Sequence, residues 1–599
     1  MLRFIGLLLV MPAVANICPA VGYGKGTAII VPKSAPQVVD YAARELQYYV
    51  EKSTGVRMPI LTEGSVPADT KRRIYLGATE AALNAGIDPS GLPRDAYHVR
   101  ASGDTAYLVG GDRDGDPLAL GTPAGTLFAV YDVLDNGLGV RWLWPGRSGE
   151  FVPKRLSLRI KDRDETVLPR FRFCGLRTGR TEERQWMRRM RMHGADGMSY
   201  GHAFEQWDDK YFAEHPDWFE MDRNGVRHRD RSMCVSNPGF HRQIVENWWI
   251  EQKDRPAPRR NVNVCENDCP GACQCPTCLS WDGPEPSWPR PTPYDSVHNV
   301  SERYARFAMA VLELARKHDP EAEVTCYAYS NLTFTPRGVK LDKRVLVGYV
   351  PDVFFPRTAE SQDWVLRQGQ GWIDAGASLF LRPNYLLHGY CMPVNWARQS
   401  AEEFKFLETR GMVGTDFDSL TGMWSTMGLS LYVIGRLHAT PEASVDQILD
   451  EYYSSFGPAA EQVKAYWDYW ERHSLEHLDV FKDGLWHYAR YPETAAKRFP
   501  PECFAPAEKL ISEAERAASR NRDAAEKVAF LTTGLEHARL CVEASMAFEN
   551  AKSDPAGWKA AAERLRAFRA TITDPMVVNV SNGDSSCMGR ETNLGWWPK

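Results

Sequence analysis

Short apolar strands alternate with amphipathic helices through the middle of the chain, from residue 169 to about residue 440. Helical segments such as SERYARFAMAVLELARKH lie between seven stretches that have the composition of strands. These stretches are FRFCGL, GADGMSYG, RNVNVCEN, EVTCYAYS, VLVGYVPD, ASLFLRPNY and GMVGTDFDS. This alternation is typical of parallel β/α architecture, because parallel strands are joined by crossover helices. The size of the region and its number of strands favour a (β/α)8 barrel of the TIM type over residues 169–444, rather than an open doubly wound sheet.

Different patterns flank this region on either side. Residues 26–160 follow the order β-α-β-β-α-β, which predicts a small α/β domain with its helices on one face of a sheet. Over residues 445–575, apolar residues recur at helical spacing, which predicts a C-terminal helical bundle. The expected fold class is therefore α/β: a (β/α)8 TIM-like barrel with a small N-terminal α/β domain and a C-terminal helical bundle.

The first residues have the pattern of a secretory signal peptide. Arg3 precedes an apolar stretch, and Ala13-Val14-Ala15 fits a small-residue cleavage site. The apolar stretch is too short to span a bilayer. We therefore expect a signal peptide over residues 1–15, a secreted or periplasmic protein, and no membrane span.

Composition excludes one class of partner and favours another. The net charge is −5 and no long block of like charge occurs, which argues against a nucleic-acid partner. The chain contains 19 Trp residues, roughly double an average share, and aromatic rings serve as stacking platforms for sugars. Packing of large domains accounts for about half of this excess. A carbohydrate substrate is therefore expected, whereas the oligomeric state is not specified by the sequence.

Polar residues at strand ends are the candidate functional groups, because catalytic groups of β/α barrels stand at the carboxyl ends of the strands. The candidate catalytic residues are Glu266, Asp268, Asp416 and Asp418. The candidate substrate-binding residues are His202, Asn267, Tyr327, Tyr329, Tyr385 and Trp424. Carboxylates, tyrosines and a histidine in these places suit cleavage of a glycosidic bond.

That chemistry requires a protonated carboxyl group that donates its proton to the leaving oxygen. It also requires a second anion, or the acetamido group of the substrate, that stabilises the oxocarbenium-like state. Residues i and i+2 of a strand point the same way, so Glu266 and Asp268 are expected to share one site. A like-charged neighbour raises one carboxyl pKa and keeps that group protonated. Structural roles stay open for the same residues: Asp268 as a helix cap, Asp416 and Asp418 as part of a turn, and His202 as a core histidine.

Five cysteines crowd the segment that follows the third predicted strand of the barrel: Cys265, Cys269, Cys273, Cys275 and Cys278. They are numerous enough for a structural four-cysteine zinc site, although the spacing is not that of two Cys-x2-Cys pairs. Disulfides are equally compatible with an exported protein. The sequence therefore leaves structural zinc, disulfides and free thiols open, and it predicts no other cofactor.

Three segments resemble the domain-of-unknown-function family 4838. They are ENDCPGACQCPTC at residues 266–278, the stretch of residues 210–240 that ends in CVSNPGF, and GLSLYVIGRLHATPEASVDQILDEYYSSFGPAAEQVKAYW at residues 428–467. The N-terminal domain resembles the small α/β domain that precedes the barrel in α-glucuronidases and family 20 hexosaminidases.

The resemblance implies a (β/α)8 barrel, export and glycan hydrolysis. The family is related to glycoside hydrolase family 163, whose members are endo-β-N-acetylglucosaminidases acting on N-glycans. Asn267 and Asp268 match the Asn-Asp of the family signature, whereas Glu266 stands at a position where the family varies. The segment TDFDS carries Asp where relatives are expected to carry Glu.

Three functions compete on these grounds. The first is a secreted glycoside hydrolase that cleaves a complex glycan by carboxylate acid/base catalysis, with an N-acetylglucosamine-containing substrate and substrate assistance as its more specific form. The second is a non-catalytic carbohydrate-binding protein on the same scaffold. The third is a zinc-dependent hydrolase that uses the cysteine segment. The first is favoured.

Overall fold

A computed structural model describes residues 20–194, 197–255, 259–268, 272–283, 299–351, 355–387, 391–418, 420, 422–477, 491–579, 595 and 597. The signal peptide expected over residues 1–15 lies outside the described residues, as does Cys269. The chain divides into two compact units. The first runs to Pro117 and includes Thr122–Val140 and Val152–Pro169, and the second contains the remainder.

The described strands are β1 (Ala20–Tyr23), β2 (Thr27–Val31), β3 (Ile60–Thr62), β4 (Arg72–Leu76), β5 (Tyr97–Ser102), β6 (Thr105–Gly110), β7 (Arg141–Trp142), β8 (Glu150–Phe151), β9 (Leu158–Lys161), β10 (Arg163–Val167), β11 (Asn261–Asn263), β12 (Glu323–Ala328), β13 (Val345–Tyr349), β14 (Ser378–Leu381) and β15 (Gly414–Thr415).

The described α-helices are α1 (Gln37–Thr54), α2 (Glu80–Asn84), α3 (Gly125–Leu138), α4 (Thr181–Arg189), α5 (Trp207–Tyr211), α6 (Pro238–Gln252), α7 (Pro276–Ser280), α8 (Ser301–Ala315), α9 (Ala359–Asp374), α10 (Ala397–Glu408), α11 (Trp424–Ala439), α12 (Val445–Ser454), α13 (Ala460–Glu476), α14 (Tyr491–Arg498), α15 (Phe504–Ala518), α16 (Arg522–Glu549) and α17 (Pro555–Thr571).

The first unit is built on a six-stranded mixed sheet in the order β10-β5-β6-β4-β2-β3, and β1 pairs separately with β9. Helices α1 and α3 pack against each other and against this sheet. Helix α1 ends where Gly55 adopts a φ of 75°, which a residue with a side chain rarely does. The expected hairpin also forms, with Ser102 opposite Thr105 and Gly103 in the turn. The α/β character predicted here is thus present, but the last predicted strand, β7, belongs to the second unit and pairs with β8 in a separate two-stranded sheet.

The second unit contains a sheet of five parallel strands in the sequential order β11-β12-β13-β14-β15. Helix α8 packs on β12 and helix α9 packs on β14. Sequential parallel strands with helices between them are the arrangement that the alternation in the sequence predicted. All five strands were among the seven expected ones.

The other two expected strands are less regular. The segment that contains Phe173 and Leu176 forms only isolated bridges among the described residues: parallel ones to Gly414 and Phe417, and an antiparallel one between Cys174 and His193. The other segment, which contains Ser199 and Gly201, is bound to β11 through side chains of β11. Asn261 Oδ1 accepts from Ser199 N at 3.0 Å, and Asn263 Nδ2 donates to the Gly201 carbonyl at 2.8 Å. The described strands therefore form an arc of parallel β/α structure, and its closure into an eight-stranded barrel stays a prediction.

The C-terminal helices belong to the second unit. Helix α15 packs against α13 and α16, while α16 packs against α17 and α11. A separate helical bundle stays a prediction, because α16 packs against α11, which lies within the region predicted to be the barrel. Within the described residues, no helix combines the length and the apolar composition that crossing a membrane requires.

Candidate active site

Side chains at the carboxyl ends of the parallel strands meet in one connected group. Asp416 and Asp418 follow β15, Arg382 follows β14, and Tyr327 lies near the end of β12. Asp268 comes shortly after β11, and the two irregular segments add Arg177, Tyr200 and His202. We call the following eight residues the strand-end cluster: Arg177, Tyr200, His202, Asp268, Tyr327, Arg382, Asp416 and Asp418.

Two arginines hold the acids that follow β15. Arg177 forms a bidentate pair with Asp416, with Nε–Oδ1 at 3.0 Å and Nη2–Oδ2 at 2.7 Å. Arg382 Nη2 lies 2.6 Å from Asp418 Oδ2, and Arg177 Nη1 lies 3.7 Å from Asp418 Oδ1. The Asp418 carboxylate thus faces two guanidinium groups. These contacts fix the orientation of the Asp416 and Asp418 carboxylates.

Two tyrosine rings lie under these charges. The ring centroids of Tyr200 and Tyr327 are 4.9 Å apart at a steep angle, and the Arg382 guanidinium lies 6.0 Å and 5.8 Å from them. The Tyr200 hydroxyl is buried and has no hydrogen-bond partner among the described residues. Burial raises its pKa well above the ordinary value. Tyr200 can occupy this place because Gly348 has no side chain. A Cβ at Gly348 would lie only 2.1 Å from the Tyr200 hydroxyl oxygen.

His202 and Asp268 form the exposed part of the cluster. His202 Nε2 lies 3.4 Å from Asp268 Oδ2, and His202 Nδ1 lies 3.0 Å from the Glu266 carbonyl oxygen. The Asp268 bond raises the pKa of His202 to about 9, and the same bond lowers the pKa of Asp268. The Asp268 side chain is 68% exposed and that of His202 is 29% exposed. The pair therefore carries a proton at neutral pH where a ligand can reach it.

Glu266 is not part of this exposed group. Its Oε2 accepts from Tyr304 Oη at 2.7 Å and from Met233 N at 3.1 Å, and its Oε1 accepts from Asn267 N at 3.0 Å. The side chain is buried, and burial raises its pKa. The contacts join Glu266 to Tyr304, whereas Asp268 contacts His202. The expectation that Glu266 and Asp268 share one site is not supported, because β11 ends at Asn263 and the alternation of a strand does not extend to them.

Two predicted substrate-binding residues have positions beside the cluster. Asn267 Oδ1 accepts from Phe204 N at 3.1 Å, which fastens the segment after β11 to the segment after His202. Tyr329 is partly exposed, and its ring centroid lies 5.9 Å from that of Tyr327. Asn267 thus has a positioning contact, and Tyr329 offers a ring face at the rim.

Tyr385 and Trp424 require a correction. Both side chains are fully buried and are bonded elsewhere. The Tyr385 hydroxyl contacts Glu403 and accepts from Arg357 Nη2 at 2.9 Å, while Trp424 Nε1 donates to Glu183 Oε1 at 2.9 Å. A direct contact of either residue with substrate is therefore not supported by the structure.

Arg177, Arg382 and Tyr200 were missed in the sequence. A signal for the arginines was available, because each follows directly after an apolar stretch, in FRFCGLR and SLFLR. Tyr200 had no comparable signal, since its place depends on the absence of a side chain at Gly348. Beside the cluster lies a cleft of about 390 Å³ whose walls include Arg177, Tyr200 and Asp416.

Three of the crowded cysteines gather beside this site, together with one from another segment. The Sγ atoms of Cys234, Cys273, Cys275 and Cys278 all lie within 4.8 Å of one another. Cys265 is elsewhere, with its Sγ 3.8 Å from the Thr325 carbonyl oxygen. The gathered group thus includes Cys234, which is far away in sequence and was not among the predicted cysteines, and it does not include Cys265.

Comparisons with known proteins give one family match and several distant structural matches. The family described as Domain of unknown function (DUF4838) matches residues 144–468. No curated protein sequence matches the chain.

The solved structures share little sequence with the chain. The N-acetyl-β-hexosaminidase of Streptomyces plicatus has 11% identity and a TM-score of 0.37, with 73% of this chain and 92% of that chain covered. A chitobiase of Flavobacterium johnsoniae has 9% identity and a TM-score of 0.40, with 91% and 94% covered. A GH138 enzyme targeting pectin rhamnogalacturonan II has 10% identity and a TM-score of 0.42, with 91% and 74% covered.

The family match confirms the resemblance that three segments of the sequence indicated. It extends from the end of the first unit through the parallel sheet to α13 and includes the whole strand-end cluster. Because residues 144–468 are more than half of the chain, the protein belongs to the family described as Domain of unknown function (DUF4838).

Proposed function

We propose that the protein is an exported glycoside hydrolase that acts on a complex glycan. The observation that carries this proposal is the exposed His202–Asp268 pair beside the arginine-held acids Asp416 and Asp418, all at the carboxyl ends of parallel strands. Export rests on the pattern of residues 1–15 and on the family resemblance. The cluster supplies the two things that glycoside cleavage needs, a proton donor and anions.

The proton belongs to the His202–Asp268 pair. With a pKa of about 9, the imidazole of His202 is protonated at neutral pH, and Asp268 stays an anion beside it. The pair can pass a proton to the leaving oxygen and accept one from water in the second half of the reaction. For a sugar with a 2-acetamido group, Asp268 can orient that group as the internal nucleophile. The resemblance to glycoside hydrolase family 163 favours such an N-acetylglucosamine-containing glycan.

The acids after β15 suit recognition of sugar hydroxyls. Arg177 binds both oxygens of Asp416 and Arg382 binds Asp418, so both carboxylates are held in fixed orientations. Tyr329 adds a partly exposed ring against which the apolar face of a sugar can pack. We therefore assign substrate binding to Asp416 and Asp418, and proton transfer to His202 and Asp268.

A screen of N-glycans and polysaccharides for new reducing ends tests the proposal. We expect the wild type to release product, Asp268→Asn to lose at least about 100-fold of the turnover, and Asp418→Asn to raise the substrate concentration that is required. Asp222→Asn is a matched control, because Asp222 forms another Asp–His pair, with His228 at 3.0 Å, outside the cluster. Full activity in Asp268→Asn would contradict the assignment of the proton donor.

One observation favours a non-catalytic glycan-binding protein as the second candidate. Asp416 and Asp418 are engaged by arginines and Glu266 is buried, so Asp268 is the most exposed of the four predicted acids. Under this alternative, a glycan would bind the wild type and stay intact, and Asp268→Asn would leave binding nearly unchanged. The zinc-dependent hydrolase is not favoured, because the four gathered cysteines are buried and catalytic zinc keeps an open position.

A further inference from the structure

Four cysteines from two distant segments converge in a buried group. Cys234 lies just before α6, whereas Cys273, Cys275 and Cys278 lie in and before α7. All four side chains are buried, and their Sγ atoms lie within 4.8 Å of one another. No thiol of this group serves the reaction proposed for the strand-end cluster. Their gathering therefore needs a separate explanation.

The sulfur–sulfur distances match the edges of a metal tetrahedron. Cys234 Sγ lies 3.6 Å from Cys275 Sγ and 3.8 Å from Cys278 Sγ. A tetrahedral zinc ion with Zn–S bonds of about 2.3 Å separates its sulfur ligands by roughly 3.8 Å. A disulfide would require about 2.05 Å. These two distances are close to that separation, and all four Sγ atoms lie within 4.8 Å of one another, so the group is compatible with four ligands around one ion.

Donors surround the sulfur atoms as they do in metal–thiolate sites. Met221 N lies 3.3 Å from Cys273 Sγ, and Cys278 N lies 3.4 Å from Cys275 Sγ. Ser236 Oγ lies 3.1 Å from Cys278 Sγ, and Arg227 Nη1 lies 3.7 Å from Cys273 Sγ. N–H and O–H groups of this kind stabilise thiolate charge and orient metal ligands. The guanidinium of Arg227 offsets part of the negative charge that four thiolates would bring.

We propose that Cys234, Cys273, Cys275 and Cys278 bind a structural zinc ion. Four thiolates in tetrahedral spacing select zinc or iron among common metals, and a closed set of four protein ligands is typical of a structural site. The proposal goes beyond the glycosidase function and does not depend on it. It also resolves the choice between zinc and disulfides that the sequence left open.

The ion would hold the segment that carries Asp268. Cys273 follows Asp268 by a few residues, and Met233, which precedes Cys234, donates its N–H to Glu266. Buried Arg303 on α8 donates to the Cys273 carbonyl at 2.8 Å and forms an ion pair with Asp282. The zinc would therefore fasten two segments near the end of β11, and Arg303 adds a contact from α8.

Metal analysis of the full chain, purified without added metal, tests the proposal. We expect about one zinc ion per chain in the wild type, and at least a five-fold lower content in Cys234→Ser and Cys273→Ser. Cys265→Ser is the matched control, because Cys265 is an equally buried cysteine outside the group, and its zinc content should stay unchanged. Iron in place of zinc, or a metal-free protein with two disulfides among these four cysteines, would overturn the proposal.

A second measurement on the wild type avoids variants that fail to fold. An organomercurial reagent added stepwise to the native protein should release zinc to a colour-forming chelator, with about four thiols titrated per ion released. Prolonged chelation should also lower the midpoint of thermal unfolding, because ligand binding to the folded state contributes to stability. Thiol titration without zinc release would refute the site, whatever the result of the glycan screen.

Discussion

His202 is the residue whose ionisation reports most directly on the strand-end cluster. Its two ring nitrogens face the Glu266 carbonyl oxygen and the Asp268 carboxylate, and both contacts favour the protonated ring. The folded pKa of about 9 lies above the unfolded value of about 6.5. Protonation of His202 therefore stabilises the folded state, and the effect depends on pH.

We expect the contribution of His202 to stability to be fully present below about pH 6.5 and to be lost as the pH rises through about 9. The measurement is the free energy of unfolding of wild type and His202→Gln across this range. The difference between the two proteins should shrink as the pH rises. Asp268→Asn should shrink the same difference at neutral pH, and an unchanged difference from pH 6 to 10 would contradict the pairing.

Gly348 decides the position of Tyr200. A Cβ there would lie 2.1 Å from Tyr200 Oη and 2.9 Å from Phe380 Cζ, deep among packed rings. We expect Gly348→Ala to destabilise the protein by about 1–3 kcal/mol, measured by denaturant unfolding, because the Tyr200 ring would have to shift from its packing against Tyr327 and Phe380. Gly428→Ala is the control, since a Cβ at Gly428 in α11 meets no atom within 4 Å. Equal stability of the two variants would show that Tyr200 is not confined.

At the scale of single residues, the sequence predicted the strand-end acids but not their partners. Asp268, His202, Asp416 and Asp418 were found because polar residues directly after apolar strands stand out. The burial of Glu266 could not be foreseen, since it depends on Tyr304, which lies far away in sequence. Cys234 escaped notice for the same reason.

At the scale of elements, the period of apolar residues predicted the strands β11 to β15 and the helices between them. It did not predict how short β15 would be or that Asn261 and Asn263 would bond neighbouring backbone through their side chains. These features arise from pairing between segments that are distant in sequence. Periodicity within one segment carries no information about such pairing.

A buried ion pair connects two of these elements. Arg357, just before α9, donates to Glu403 on α10 at 2.8 Å and to Tyr385 after β14 at 2.9 Å. Both charged side chains are almost completely buried. We expect Glu403→Gln to lower the free energy of unfolding by about 3 kcal/mol, because it leaves a buried guanidinium without its counter-charge.

The control for this variant is an exposed ion pair within α9. Asp363 and Arg367 on α9 form an ion pair with both side chains more than half exposed. Asp363→Asn should change the free energy of unfolding by about 0.5 kcal/mol or less. A Glu403→Gln variant as stable as Asp363→Asn would mean that water reaches Arg357.

At the scale of the whole molecule, helices on both sides of residue 444, where the sequence predicted the end of the barrel, pack against one another. The described residues of α11, from Trp424 to His438, are all buried, and α10, α12 and α16 each pack against this helix. Ser425 Oγ donates to the Val577 carbonyl at 2.6 Å. The sequence could show that the C-terminal region is helical, but not that these helices complete the cover of α11.

We therefore expect the second unit of a chain that ends at residue 444 to lack a cooperative unfolding transition, because the buried face of α11 toward α16 would be exposed to water. Thermal unfolding followed by the tryptophan bands of near-ultraviolet circular dichroism is the measurement, because all tryptophans of this shorter chain lie in the second unit. A chain that ends at residue 579 is the control: it retains Val577, and its loss of the stacking of Trp597 on Arg566 and Arg569 costs at most about 1 kcal/mol. A cooperative transition in the shorter chain would instead show that residues 169–444 fold alone and that the C-terminal helices are an independent bundle, as the sequence pattern suggests.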